Sequence, residues 1–150
     1  QPDAKAYETI VKFPHLPAEI DGSQMQDAIP TIAVLAAFNE IPVRFVGIAN
    51  LRVKECDRIR ALSTGLNNIR EGLAVEEGDD LIVHSDPALA GQTLPADIDT
   101  FADHRIAMSF ALAGLKIDDI TILDPDCVGK TFPAYWCTLA GLGVAYKDEA

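Results

Sequence analysis

The densest chemistry in the sequence is Arg52-Val53-Lys54-Glu55-Cys56-Asp57-Arg58-Ile59-Arg60, which sets Arg52, Lys54, Arg58 and Arg60 within one short stretch. The whole chain carries 12 Lys+Arg against 23 Asp+Glu, a net charge of −11, so this stretch inverts the prevailing sign. On a helix Lys54 and Arg58 stand four residues apart and share a face, where two cations can grip an anion and tune the ionisation of Glu55 beside them. A solvated helix face with ordinary Glu–Arg pairs satisfies the same spacing. A second cluster is Asp103-His104-Arg105. With Asp103 as a helix cap, Arg105 in the first turn opposes the helix dipole at a cost of about 0.3–1 kcal/mol. A phosphate or carboxylate bound there reverses that sign, since helix starts and arginine both favour anions; pairing of Arg105 with a carboxylate is the alternative. Gly129-Lys130-Thr131 resembles the end of a phosphate loop, but position 124 is Asp where that motif needs its first Gly. A nucleotide P-loop is thereby excluded, and Lys130 is left as an anion contact. Asp27 is a carboxylate at a helix start, either a cap or a base.

These residues need a frame. Thr9–Phe13 reads as a strand. Asp27 begins and caps an apolar helix over 28–38, with Pro30 tolerated in its first turn. Pro42–Ile48 reads as a strand. Ile59, Leu62, Leu66 and Ile69 recur at helical spacing from Glu55 onward. Leu73–Glu76 and Leu81–His84 flank the turn residues Glu77-Gly78-Asp79-Asp80 and predict a hairpin. Residues 86–99 read as a loop. Asp103 then precedes a helix over 104–115, followed by a strand over 120–123, a helix over 133–142 and a closing strand over 144–146. Shifting the sequence by 76 pairs Asp27 with Asp103, their apolar helices, the strands that follow, and Lys54 with Lys130. The fold class expected is α/β (α+β): about two βαβαββ repeats, near 20–85 and 97–147, in one partial domain, with helices packed on mixed parallel and antiparallel sheets. Stacked repeats would gather Asp27, Lys54, Asp103–Arg105 and Lys130 at one end, as a pocket for a multiply anionic small molecule.

Composition narrows the classes. The chain has 150 residues, 49% of them hydrophobic, which is enough for a real core and too apolar for a disordered chain. The acidic balance argues against nucleic acid or an anionic membrane as partner. No apolar run is long enough for a membrane span, and the start has no signal-peptide pattern, so a cytoplasmic protein is expected. The absence of an initiator Met suggests a mature or excised piece. Cys56, Cys127 and Cys137 read as reduced, packed thiols, and no metal site is expected.

Asn50-Leu51-Arg52-Val53-Lys54-Glu55-Cys56-Asp57-Arg58, then Asp103-His104-Arg105-Ile106-Ala107-Met108, then Lys130-Thr131-Phe132-Pro133, resembles the 5-enolpyruvylshikimate-3-phosphate synthases (3-phosphoshikimate 1-carboxyvinyltransferases) over residues 20–145. The related UDP-N-acetylglucosamine enolpyruvyl transferases share the fold but not the Arg-Val-Lys-Glu segment. The resemblance implies transfer of the enolpyruvyl group of phosphoenolpyruvate to the 5-hydroxyl of shikimate 3-phosphate, with release of phosphate and no cofactor. It implies Asp27 as the base for the hydroxyl and Glu55 as the acid at the methylene carbon. It implies Asn50 and Lys54 as shikimate-phosphate contacts, and Arg58, Arg105 and Lys130, with His104 beside them, as phosphoenolpyruvate contacts. Glyphosate would be expected in the phosphoenolpyruvate region. Cys56 stands where the family usually has Thr or Ser. The chain supplies about two repeats of the family's C-terminal domain and lacks its N-terminal domain, so an inactive fragment is expected. The competing class is a non-catalytic anion-binding or scaffold module of the same repeat.

Overall fold

The computed structural model describes residues 8–54 and 56–123. Two strand–helix–strand units follow one another. In the first, β1 (Glu19–Asp21) leads through a 3-10 turn (Gln26–Ala28) into α1 (Ile29–Ala36) and back to β2 (Val43–Val46). In the second, β5 (Thr93–Ile98), α3 (His104–Lys116) and β6 (Asp118–Ile122) repeat that order. Both strand pairs are parallel: Glu19 lies against Arg44 and Asp21 against Val46, while Ala96 lies against Ile120 and Ile98 against Ile122. Between the units come a second 3-10 turn (Ala49–Val53), α2 (Arg58–Ile69) and the hairpin β3 (Ala74–Glu77)–β4 (Asp80–Val83). The hairpin pairs antiparallel onto β2, giving a mixed sheet of order β1-β2-β4-β3, as the sequence led us to expect.

The helices are held by their apolar faces. Ile29, Ile32, Ala33 and Val34 of α1, Ile59, Leu62 and Leu66 of α2, and Ile106 and Phe110 of α3 join Phe45, Leu81 and Val83 of the sheet in one core. Gly65 lets α2 and α3 approach: a Cβ there would lie 2.4 Å from the Phe110 ring. At the strand ends Gly47 turns with φ +68, and a Cβ on it would meet Asp21 Oδ1 at 2.5 Å. Asn39, fully buried, exchanges hydrogen bonds with the Leu16 backbone and so ties the chain ahead of β1 to the end of α1. Among the described residues no helix is long and apolar enough to cross a membrane.

Four expectations need correction. Residues 8–10 are helical and continue into turns, with Lys12 N–H bonded to the Thr9 carbonyl and Phe13 N–H to Ile10. Local bonds thus replace the strand expected at Thr9–Phe13, and β1 lies further on. Asp27 does not cap α1. Ala28 is the cap residue, no side chain closes that helix start, and Asp27 sits in the preceding 3-10 turn. Lys54 and Arg58 do not share a helix face, because Lys54 is extended (φ −87, ψ −154) and α2 begins only at Arg58, capped by Asp57. The loop expected over 86–99 contains β5. Pro95 hid it, for proline has no N–H to give a ladder, and the register shifts between Thr93 and Ala96. The helix and strand expected over 133–146 lie outside the described residues.

Gly65→Ala should destabilise the chain by about 1–3 kcal/mol, because Phe110 must leave its rotamer to admit the methyl group. Urea titration of both proteins checks this; equal midpoints would mean that α2 and α3 do not pack as described.

Candidate functional site

The site residues leave the carboxyl ends of the parallel strands, where ligands bind in open α/β sheets. The segment after β1 carries Asp27, that after β2 carries Asn50 and Lys54, and that after β5 carries Asp103, His104 and Arg105. Asp27 and Asp103 meet at Arg58, the first residue of α2. Its side chain is only 3% exposed. Arg58 Nε donates to Asp103 Oδ2 at 2.7 Å, and Nη2 approaches Asp103 Oδ1 at 3.3 Å. Nη1 lies 3.6 Å from Asp27 Oδ1. On the other side of Asp27, Oδ2 is 4.0 Å from Arg105 Nη2. Asp27 therefore stands between two guanidinium groups, and its side chain remains 67% exposed.

Asp103 is the least accessible member, with no exposed surface. It accepts from the backbone N–H groups of Arg105 (2.9 Å) and Ile106 (3.4 Å), and so caps α3 as the sequence predicts. The Cys56 thiol donates to Oδ2 at 3.4 Å. Burial alone would raise the Asp103 pKa. The hydrogen bond and charge of Arg58, the Arg105 N–H and the Cys56 thiol outweigh it and hold the carboxyl below the usual range. Cys56 is pushed up to about 12, by burial first and then by the Asp103 charge and hydrogen bond. It is a protonated donor, not a nucleophile.

The cationic cluster divides. Arg52 Nε binds Asp79 Oδ1 (2.8 Å), Nη1 binds Asp57 Oδ2 (2.9 Å), and Nη2 binds Glu76 Oε1 and the Gly78 carbonyl (both 2.8 Å). These carboxylates, Asp79 foremost, raise its pKa above the ordinary arginine value. Arg60 Nε is bound to Glu76 Oε2 at 2.5 Å. Ordinary acid–arginine pairing thus accounts for Arg52 and Arg60, which the hairpin ties down. Lys54 is exposed and makes no ion pair with the described residues. Asn50 is exposed and His104 half-buried. The structure brings Asp27, Arg58 and Arg105 together, and Asn50, Lys54 and His104 make no direct bond to that trio. Glu55 and Lys130 lie outside the described residues. Sequence reasoning missed the pairing of Arg58 with Asp103. The cap position of Asp103 was legible, but a contact across 45 residues leaves no periodic signal. Among the described residues no group of three His, Cys, Asp or Glu side chains is arranged to hold a metal ion.

Two outcomes are expected. Asp103, with its folded pKa below the unfolded value of about 3.9, contributes stability that is present above that value and lost as pH falls through the folded pKa. Thermal melts should therefore weaken below about pH 4, and Asp103→Asn should flatten that limb. Cys56 should alkylate with iodoacetamide at pH 8 at least about tenfold more slowly in the folded chain than in urea. Peptide mapping reads this, and equal rates would contradict the bond to Asp103.

A sequence model of the family EPSP synthase (3-phosphoshikimate 1-carboxyvinyltransferase) matches residues 3–139. The chain is similar to the 3-phosphoshikimate 1-carboxyvinyltransferase of Rhizobium etli (strain CIAT 652), with 94% identity over 99% of this chain and 36% of that protein. It is 75% identical to the 3-phosphoshikimate 1-carboxyvinyltransferase of Pseudomonas savastanoi pv. phaseolicola (strain 1448A / Race 6), over 96% of this chain and 34% of that protein. Among solved structures, EPSP synthase from Acinetobacter baumannii matches with a TM-score of 0.71 and 30% identity, over 81% of this chain and 28% of that one. The chain thus spans 36% and 34% of the length of the curated relatives it matches.

Proposed function

The chain belongs to the EPSP synthase family, and we propose on that premise that it supplies one side of an enolpyruvyl-transfer site. The substrates are shikimate 3-phosphate and phosphoenolpyruvate, the setting is the cytoplasm, and the opposite wall of the cleft comes from the N-terminal domain of the enzyme. The two strand–helix–strand units are read as successive repeats of one partial domain, near 20–85 and 97–147. The observation that carries the proposal is the exposed Asp27 carboxylate set between Arg58 and Arg105. A carboxylate on solvent-facing ground can take a proton from a bound hydroxyl, and flanking guanidinium groups bind phosphate and carboxylate oxygens.

In this reading Asp27 accepts the proton of the 5-hydroxyl as its oxygen bonds to C2 of phosphoenolpyruvate. Glu55 delivers a proton to the methylene carbon. The tetrahedral adduct then expels phosphate, which leaves with the proton Asp27 had taken, while the Glu55 carboxylate takes a proton back from the methyl group and the double bond is regenerated. Asn50 and Lys54 receive the shikimate phosphate and ring. Arg58, Arg105 and Lys130, with His104 alongside, receive phosphoenolpyruvate. Clustered cations are required because both substrates carry phosphate and carboxylate charges. Alone, the chain binds without turnover, since positioning both substrates together is worth about 7–11 kcal/mol and half a cleft cannot supply it.

The test is phosphate release from phosphoenolpyruvate by the full-length enzyme that carries this segment. Asp27→Asn and Glu55→Gln should each lower kcat by about 10²–10⁴-fold, as expected for loss of a general acid or base. Full activity in Glu55→Gln would favour a non-catalytic anion-binding module, because holding an anion needs no acid.

A further inference from the structure

We propose that Asp103 is a positioning residue for the anion site: by holding the Nε–Nη2 edge of Arg58 it aims Nη1 at the ground shared with Asp27 and Arg105. What that ground binds rests on the functional reading above; the positioning itself rests on geometry. One buried carboxylate receives Arg58 Nε and Nη2, the Cys56 thiol and the N–H groups of Arg105 and Ile106. It therefore fixes the guanidinium of one helix and the start of the helix that carries His104 and Arg105. The turn that delivers it is built for the purpose. Phe101 (φ 52) and Ala102 (φ 57) both adopt the left-handed region, unfavourable for residues with a Cβ and kept only where the surroundings impose it. Asp99 Oδ1 accepts the Phe101 N–H at 2.8 Å, and the carbonyl of the buried Thr100 accepts the Asp103 N–H at 2.9 Å. Asp27 Oδ1 lies 3.6 Å from Nη1, so an Arg58 released by Asp103 has a second carboxylate to turn to. That turn would fill the anion seat with Asp27 itself.

Asp103→Asn separates positioning from simple structural support, because asparagine caps a helix start about as well as aspartate. In the full-length enzyme, KM for phosphoenolpyruvate should rise about tenfold to a hundredfold, while KM for shikimate 3-phosphate stays within about twofold. A variant in which both KM values rise together, or in which neither KM moves, overturns the proposal. Should that variant fail to fold, the wild-type chain answers by NMR. The Arg58 Nε–H should resonate downfield and exchange slowly at neutral pH, with a nuclear Overhauser contact to the Asp103 β protons. Exchange as fast as that of an exposed arginine overturns the proposal. A wild-type enzyme without enolpyruvyl transfer would sink the functional reading alone, and the NMR result would still decide the role of Asp103.

Discussion

The pairing of Arg58 with Asp103 is the constraint on which the rest of the site depends. Taking both charges out of water costs several kcal/mol per ion, and their attraction repays this only with good geometry and further hydrogen bonds. Here the further bonds are present: two backbone N–H groups and a thiol share the carboxylate with the guanidinium. Such a pair adds little net stability over well-packed apolar residues, but breaking it strands a buried charge. Its value is registry. It joins the first residue of α2 to the cap of α3, elements that the sequence separates by a hairpin and a strand.

The charges around this pair sort by what holds them. The acidic hairpin absorbs Arg52 and Arg60 through Glu76 and Asp79, while Asp57 both caps α2 and binds Arg52. Arg44 is likewise bound to Asp80 and Glu77. The excess of acid in the composition is thus partly spent on fastening arginines. Arg105 keeps exposed surface beside Asp27, and Lys54 is exposed and unengaged by these acids. A chain of net −11 can in this way present a local cationic patch to an anionic small molecule without becoming a general polyanion binder.

Much of this was legible in the residues. Helical spacing at Ile59, Leu62, Leu66 and Ile69 located α2, and Gly78-Asp79 between apolar runs located the hairpin. Asp103 ahead of an apolar run located the cap of α3. The failures have physical causes. Pro95 masked a strand whose partner tolerates a missing N–H by a shift in register. The basic run at Arg52–Arg60 looked like one helix, but the chain extends at Lys54 before Asp57 caps α2, so the shared face of Lys54 and Arg58 dissolved. Asp27 looked like a cap because its position before Pro30 suits one, yet its carboxylate faces the arginines. Long-range pairing is set by tertiary geometry, and single-sequence periodicity does not carry it.

The most direct test of this account is a double-mutant cycle on Arg58 and Asp103, using Arg58→Met, Asp103→Asn and the double variant, with stability read by urea unfolding. If the pair is the keystone, each single change costs about 3–5 kcal/mol, and the double variant recovers much of the loss. Additive costs, with a coupling energy near zero, would mean that the two side chains act independently and that the site is organised by something else.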